Sequence, residues 1–406
     1  MKIKHSKTHI TYCTNIHNNV NWEKTLQNLN KYTINIKKNI TYNKKFGIGL
    51  CLSNTIVNQL IKVENINLFK NWLTYNNMYI LTLNGFVYKH FHKKNIKENI
   101  YKPDWSTKKR LLFTKKLIHL FSDIMTEKNG SLSTVPIFYK KTIDRYKEKY
   151  KILQKSIINL MEITIILITI SKDKKKNLYL CLEPEPDCFL ENTNDILNFF
   201  NHYLVPYGSE YLNKNYKYPL NFARKQIRKY IQICYDICHF SIQYEKPEET
   251  FTTLRKNNIK IGKIQLSSLL NIQTPKNKKI KLKEAKQLSM YGKTQFLHQV
   301  RTYDKTKNST NYSDLTRVTD VKPILETREY NWRIHYHIPL YRKTYDTYNT
   351  TQEYIKKVIQ QINPTKENHL EIETYTWEAL HKKQKVNVVE SIVKEYKYIL
   401  EMFNTK

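Results

Sequence analysis

The chain has 406 residues, 69 of them Lys or Arg against 35 Asp or Glu, for a formal net charge of +34; this length suits one large barrel or two ordinary domains. Only ten of the cations are Arg, Ala occurs three times and Gly seven, so the pattern is drift toward AT-rich codons with scattered Lys, not the clustered, Arg-rich footprint of a specific nucleic-acid binder. Six cysteines (Cys13, Cys51, Cys181, Cys188, Cys234, Cys238) are too few for a disulfide scaffold, and several fall in apolar runs where free Cys packs as a small hydrophobe.

Residues 1–14 are basic and then strand-like, without the apolar core of a signal peptide, and a first strand is expected at 9–13. Asn21 then precedes a helix with Trp22, Leu26 and Leu29 on one face. A second strand at 47–52 runs into the cap-like Ser53-Asn54, and a third occupies 78–83. Thr107 to Met125 reads as a helix carrying Leu111, Leu112, Leu117 and Leu120, before a fourth strand at 131–135. The most apolar stretch, 156–170, contains Glu162 and is too short to span a bilayer, so it is expected as a buried helix. Strands follow at 178–182, 231–235, 259–266 and 370–374, with helices from Thr350-Thr351 and over about 387–403.

Alternating strands and helices, eight strands in all, predict a closed α/β (β/α)₈ TIM barrel forming one domain over 1–406. A ninth extended run, Trp332 to Pro339, is assigned to a long excursion between strands seven and eight, roughly 268–342. An excursion of that length is expected to act as a lid or mobile insertion. With so few glycines, Gly47 and Gly49 inside a strand point to close packing. The setting implied is aqueous, reducing and cytoplasmic, with no transmembrane segment.

In such a barrel the polar residues at strand C-termini share one mouth. These are Asn15 and His17, Asn84, Ser133 and Thr134, Glu183, Asp236 and His239, Gln265, and Glu373. Glu183, Asp236, Gln265 and Glu373 are oxygen donors from four strands, a set that suits Mg²⁺, Mn²⁺ or Co²⁺, with Zn²⁺ if a His joins. Glu185 is expected as a solvated loop carboxylate outside the mouth, and Glu371 as an ion-pair partner or a ligand.

Longer stretches carry a family likeness. Thr11-Tyr12-Cys13-Thr14-Asn15-Ile16-His17, Phe46-Gly47-Ile48-Gly49-Leu50, Asn84-Gly85-Phe86, Tyr101-Lys102-Pro103-Asp104-Trp105 and Ser133-Thr134-Val135-Pro136 resemble the EboE metabolite-traffic family. So do Leu182-Glu183-Pro184-Glu185-Pro186, Cys234-Tyr235-Asp236-Ile237-Cys238-His239 and Lys263-Ile264-Gln265-Leu266-Ser267-Ser268. Leu297-His298-Gln299-Val300, Trp332-Arg333-Ile334-His335-Tyr336-His337-Ile338-Pro339 and Glu371-Ile372-Glu373-Thr374-Tyr375-Thr376-Trp377 extend the likeness over nearly the whole chain. Val87 departs from it, standing where the family has Pro. The resemblance implies a xylose-isomerase-like barrel of the sugar and sugar-phosphate isomerase and epimerase superfamily, with the metal on Glu183, Asp236, Gln265 and Glu373. It also implies a small-molecule metabolite as partner, and a functional link to a membrane prenyltransferase-like protein and a cyclase-like enzyme of secondary metabolism.

The expected chemistry is proton transfer on a metal-bound hydroxy-ketone through an enediolate, with Glu183, Glu373 and His239 as catalytic groups. Asn15, Asn84, His92, His298, Arg333, His335 and His337 are the expected substrate contacts. Alternation places Arg333, His335 and His337 on one side of an extended segment, suited to a phosphate or carboxylate. Two rivals stand beside this: a phosphoester hydrolase of the endonuclease-IV-like type, suggested by Asp236-x-x-His239, and a non-catalytic metabolite carrier.

Overall fold

The computed structural model describes all residues except 42, 90–96, 144–145, 274–295, 305–308, 316–329, 347, 380–385 and 405–406. Seven strands come first: β1 (Thr8–Tyr12), β2 (Phe46–Cys51), β3 (Met78–Asn84), β4 (Asn129–Thr134), β5 (Asn177–Leu182), β6 (Ile231–Asp236) and β7 (Ile261–Leu266). Six more follow: β8 (Leu270–Gln273), β9 (Val300–Asp304), β10 (Ser309–Tyr312), β11 (Tyr330–Ile334), β12 (Thr344–Tyr345) and β13 (Tyr348–Thr350). Last comes β14 (Asn368–Ile372).

Among the described residues, eight strands make one sheet in the order β1-β14-β7-β6-β5-β4-β3-β2, every pair parallel. A parallel bridge between Cys13 and Gly49 joins its two edges, so the sheet is nearly closed into a barrel. Each expected barrel strand lies where the sequence put it, to within two residues at either end. These strands are buried along almost their whole length, because helices cover the outer face and side chains fill the interior; hence their near-continuous apolar runs.

Helices start where side chains satisfy the first free N–H groups. Asn21 accepts from Lys24 N, Ser53 from Ile56 N and Thr107 from Arg110 N. The stretch expected as a short buried helix belongs to a 28-residue one, Tyr146–Asp173. This corrects the length argument: Lys147–Asp173 is long and apolar enough to cross a membrane by length and composition, and 44% of its apolar window is buried within the protein. It packs on β5 and on the helices Lys108–Ile124, Val205–Tyr216 and Leu220–Tyr230.

The excursion after β7 builds a second sheet, antiparallel where pairs are described, in the order β10-β9-β11-β8-β13-β12. Tyr330–Ile334 pairs with β8 and β9 and with no barrel strand, as expected for a run that is one strand too many. Leu270, Val300, Trp332, Ile334 and Tyr345 form a small core of its own. Of the excursion 268–342, expected as a lid or mobile insertion, residues 274–295, 305–308 and 316–329 lie outside the described residues.

Candidate metal centre

Three carboxylates meet at the C-terminal end of the barrel. Glu183 follows β5 with its N–H on the Thr134 carbonyl at 3.0 Å, and Glu373 follows β14 with its N–H on that of Leu266 at 2.9 Å. Asp236 ends β6 and caps the short helix Ile237–Ile242. Its Oδ1 accepts from Cys238 N at 2.7 Å, His239 N at 3.2 Å and Ser267 Oγ at 2.8 Å, while Oδ2 is buried without a hydrogen-bond partner, as is Glu183 Oε2. Glu373 Oε1 accepts from Asn15 Nδ2 at 2.8 Å and Asn84 Nδ2 at 3.2 Å.

Electrostatics make this arrangement unstable on its own. Burial, then the neighbouring Asp236, pushes the Glu183 carboxyl well above its ordinary range. Burial, then Glu183 and Asp236, does the same to Glu373. Burial acts upward on Asp236 too, but His239, His337, the Ser267 hydroxyl and a hydrogen bond with Glu373 together hold that carboxyl below its usual value. Three buried like charges need a cation or shared protons, and the donor-free oxygens of Glu183 and Asp236 suit a divalent ion.

One layer deeper, Lys263 Nζ pairs with Glu371 Oε1 at 2.6 Å, both side chains fully buried. Lys263 also donates to Ser133 Oγ at 3.1 Å, and Thr82 donates to Glu371. Glu371 is therefore an ion-pair partner, and Lys263 is a residue the sequence reading passed over. Its signal was a lysine inside an apolar strand, two residues before Gln265 and on the same face. Gly49 makes room for this pair, since a Cβ there would collide with the Glu371 carboxylate.

Gln265 departs from expectation. Its Oε1 accepts from Cys234 Sγ at 2.9 Å, and its Nε2 is buried without a partner. Cys234 lies two residues before Asp236 on the same strand, and Gln265 Oε1 is engaged by its thiol.

Histidines also stand beside these carboxylates. His239, His335 and His337 form one group of candidate ligands, Glu183, Asp236 and His239 a second, and Asp236, Cys238 and His337 a third. Within each, the ligand atoms lie within 4.8 Å of one another. His335 and His337 were expected as substrate contacts only; both are buried, with their imidazoles pushed down by burial, His337 to about 4.

The other expected contacts divide. Asn15 and Asn84 line the cleft beside Glu183, Glu373, His239, His335 and Tyr375. Arg333 is engaged elsewhere: it donates to the Ser241 carbonyl and stacks over the Tyr244 ring at 4.1 Å. His298 is spent on the second sheet, its Nδ1 facing the His335 carbonyl at 2.8 Å, and is absent from the cleft lining. His92 lies outside the described residues. Glu185 overturns its expectation, for it is buried, lines the cleft and accepts from the Tyr101 hydroxyl at 2.8 Å. The loop after β5 folds inward there because Glu185 N bonds the Leu190 carbonyl.

No family profile matches the chain, and no curated protein matches it in sequence. Among solved structures, it is similar to the probable 3-DHS dehydratase AsbF of Bacillus anthracis, at 14% identity over 98% of each chain with a TM-score of 0.45. It is also similar to the IOLI protein with a binding zinc atom, at 12% identity over 97% of each chain and a TM-score of 0.47. A xylose isomerase domain protein from Planctomyces limnophilus shares 8% identity over 97% of this chain and 96% of that one, with a TM-score of 0.46.

Proposed function

We propose that this chain is a divalent-metal-dependent isomerase or epimerase. Its substrate would be a small polyhydroxylated molecule (a sugar, a sugar phosphate or a cyclitol-like precursor), and its reaction the movement of a proton at a carbon next to a carbonyl. The observation that carries the reading is the meeting of three buried carboxylates: Glu183 and Glu373 line the cleft, Asp236 stands beside them, and Glu183 and Asp236 each keep an oxygen that no donor satisfies. The resemblance to the EboE family supports a substrate from secondary metabolism, and with it the functional link to prenyltransferase-like and cyclase-like proteins. Free, buried cysteines support a reducing, cytoplasmic setting.

Glu183, Asp236 and Glu373 would hold Mn²⁺, Mg²⁺ or Co²⁺, hard or borderline ions that suit oxygen donors. A cation so held polarises a substrate carbonyl and acidifies the neighbouring C–H. Asn15 and Asn84 fix Glu373 by its Oε1. Glu185 stands in the same cleft, is anchored by Tyr101, and has its carboxyl raised by burial against the opposing pull of His239 and Tyr101. It is the carboxylate best suited to take and return the proton, because a carboxylate that holds a cation is a weaker base.

A second reading, phosphoester hydrolysis, draws on the three imidazoles gathered beside Asp236. The test is incubation in D₂O with Mn²⁺ and a panel of ketoses, aldoses, their phosphates and cyclitol ketones, followed by NMR. Deuterium should enter one carbon of a substrate, and Glu185→Gln should slow this by about 10²-fold or more while metal stays bound. Phosphate release without C–H exchange would replace the isomerase reading with the hydrolase, and tight binding with neither reaction would leave a carrier.

A further inference from the structure

Hydrogen bonds around the three histidines decide which ring nitrogen carries the hydrogen. His239 Nδ1 faces the Pro184 carbonyl at 2.8 Å and His337 Nδ1 the Glu373 backbone carbonyl at 2.7 Å. A carbonyl only accepts, so both Nδ1 atoms are donors. His335 Nδ1 lies 2.7 Å from Gln299 Oε1, and the far end of that amide sets its orientation. Gln299 Nε2 donates to the Pro186 carbonyl at 3.3 Å and to the Tyr101 oxygen at 3.0 Å, while Tyr101 gives its own hydrogen to Glu185. Gln299 must therefore present its oxygen to His335, whose Nδ1 is also a donor.

Each neutral ring is left with a lone pair at Nε2. The Nε2 atoms of His335 and His337 stand 3.1 Å apart, so two lone pairs face each other at hydrogen-bond distance with no hydrogen between them. A shared proton would relieve this only by creating a buried cation beside the His239 ring, whose centroid is 4.7 Å from that of His335.

We infer that His239, His335 and His337 form a second metal site beside the carboxylate site, one that selects Zn²⁺ or Co²⁺. Three imidazoles, each with Nδ1 anchored on a carbonyl or amide oxygen, are oriented as zinc ligands are, with a fourth position left for water or substrate. Asp236 belongs to candidate groups with His239 and with His337, so its donor-free Oδ2 adjoins both sites. Nitrogen donors favour Zn²⁺ and Co²⁺ over Mg²⁺ and Mn²⁺, whereas the all-oxygen carboxylate site discriminates less and accepts Mn²⁺ and Mg²⁺ as well. His335 and His337 follow β11 of the second sheet, whereas His239 follows β6 of the barrel. The site is therefore complete only when the sheet is docked.

This inference rests on the metal-dependent reading of the mouth, and its test separates the two. Metal-free protein is titrated with Zn²⁺, Co²⁺ and Mn²⁺, and bound metal is measured by elemental analysis and by Co²⁺ absorption. The wild type should take up about two equivalents of Zn²⁺ or Co²⁺ and about one of Mn²⁺. His335→Gln and His337→Gln should each retain about one equivalent of Zn²⁺ and an unchanged Mn²⁺ site. Gln299→Leu should weaken the imidazole site by about 10–100-fold, and its metal-free thermal melt serves as a folding control for a change outside the ligands. Saturation of the wild type at about one equivalent, lost alike in His335→Gln and Glu183→Gln, would mean a single mixed centre and overturn the inference. Histidine variants that bind as much Zn²⁺ as the wild type would overturn it too. If Glu183→Gln and Glu373→Gln lose no metal while the histidine variants do, the carboxylate reading fails and the imidazole site stands.

Discussion

At the scale of single residues, strand ends were legible and side-chain directions were not. Parallel strands entering one mouth place Glu183, Asp236 and Glu373 together whatever the rotamers. Gln265, Glu185 and Arg333 were decided by partners far away in sequence: Cys234, Tyr101 and the Ser241 carbonyl. Glu395, which no sequence pattern marked, shows how such partners act. It is buried in the helix Val388–Asn404, and its Oε1 accepts from Thr374 Oγ1 at 2.6 Å and Leu340 N at 3.1 Å. Burial outweighs those donors and raises its carboxyl from 4.5 to about 7. An acid whose folded-state pKa is raised contributes stability that is complete below 4.5 and lost as pH climbs through 7. Over that window the wild type should lose about 3 kcal/mol that Glu395→Gln does not. Denaturant unfolding of both proteins at pH 5 and pH 8 checks this, and parallel pH profiles would show that Glu395 ionises as freely in the folded chain as in the unfolded one.

At the scale of elements, the barrel was readable because short apolar runs alternate with amphipathic helices. The second sheet was not, since β8 must find β11 and β13 across long separations and its short strands carry no period of their own. A buried ion pair fastens that sheet to the barrel: Arg301 of β9 contacts Asp187 at 2.8 Å and Glu191 at 2.6 Å. Burial would raise the Glu191 carboxyl, but Arg301 and Lys140 depress it to about 2. Its contribution is present above the ordinary value of 4.5 and is lost as pH falls toward 2. Arg301→Met leaves two carboxylates buried without their main cation, a change that typically costs about 3–5 kcal/mol. The loss should be local, so hydrogen exchange should accelerate in β9 and β11 while β4 to β6 stay protected, and Zn²⁺ bound through His335 and His337 should be released. Uniform acceleration across barrel and sheet would show that Arg301 stabilises the whole fold and does not act as the fastening of one part.

At the scale of the whole molecule, the charge of +34 and the chemistry of the mouth have opposite signs. The candidate metal centre gathers Glu183, Asp236 and Glu373 with imidazoles around them, and beneath it the buried Lys263 is paired with Glu371. Among the described residues that line the cleft there is no lysine or arginine. Lysines on a solvated surface bind phosphates by releasing counterions, a force without sequence information that weakens steeply with salt. Fluorescence anisotropy with duplex DNA and single-stranded RNA should show weak association at low ionic strength. Raising salt from about 50 to 200 mM should weaken it by about 10³-fold or more, with no preference among sequences. Selective binding that persists at the higher salt would mean that a structured footprint exists on the surface, and that the excess of lysine is recognition and not drift.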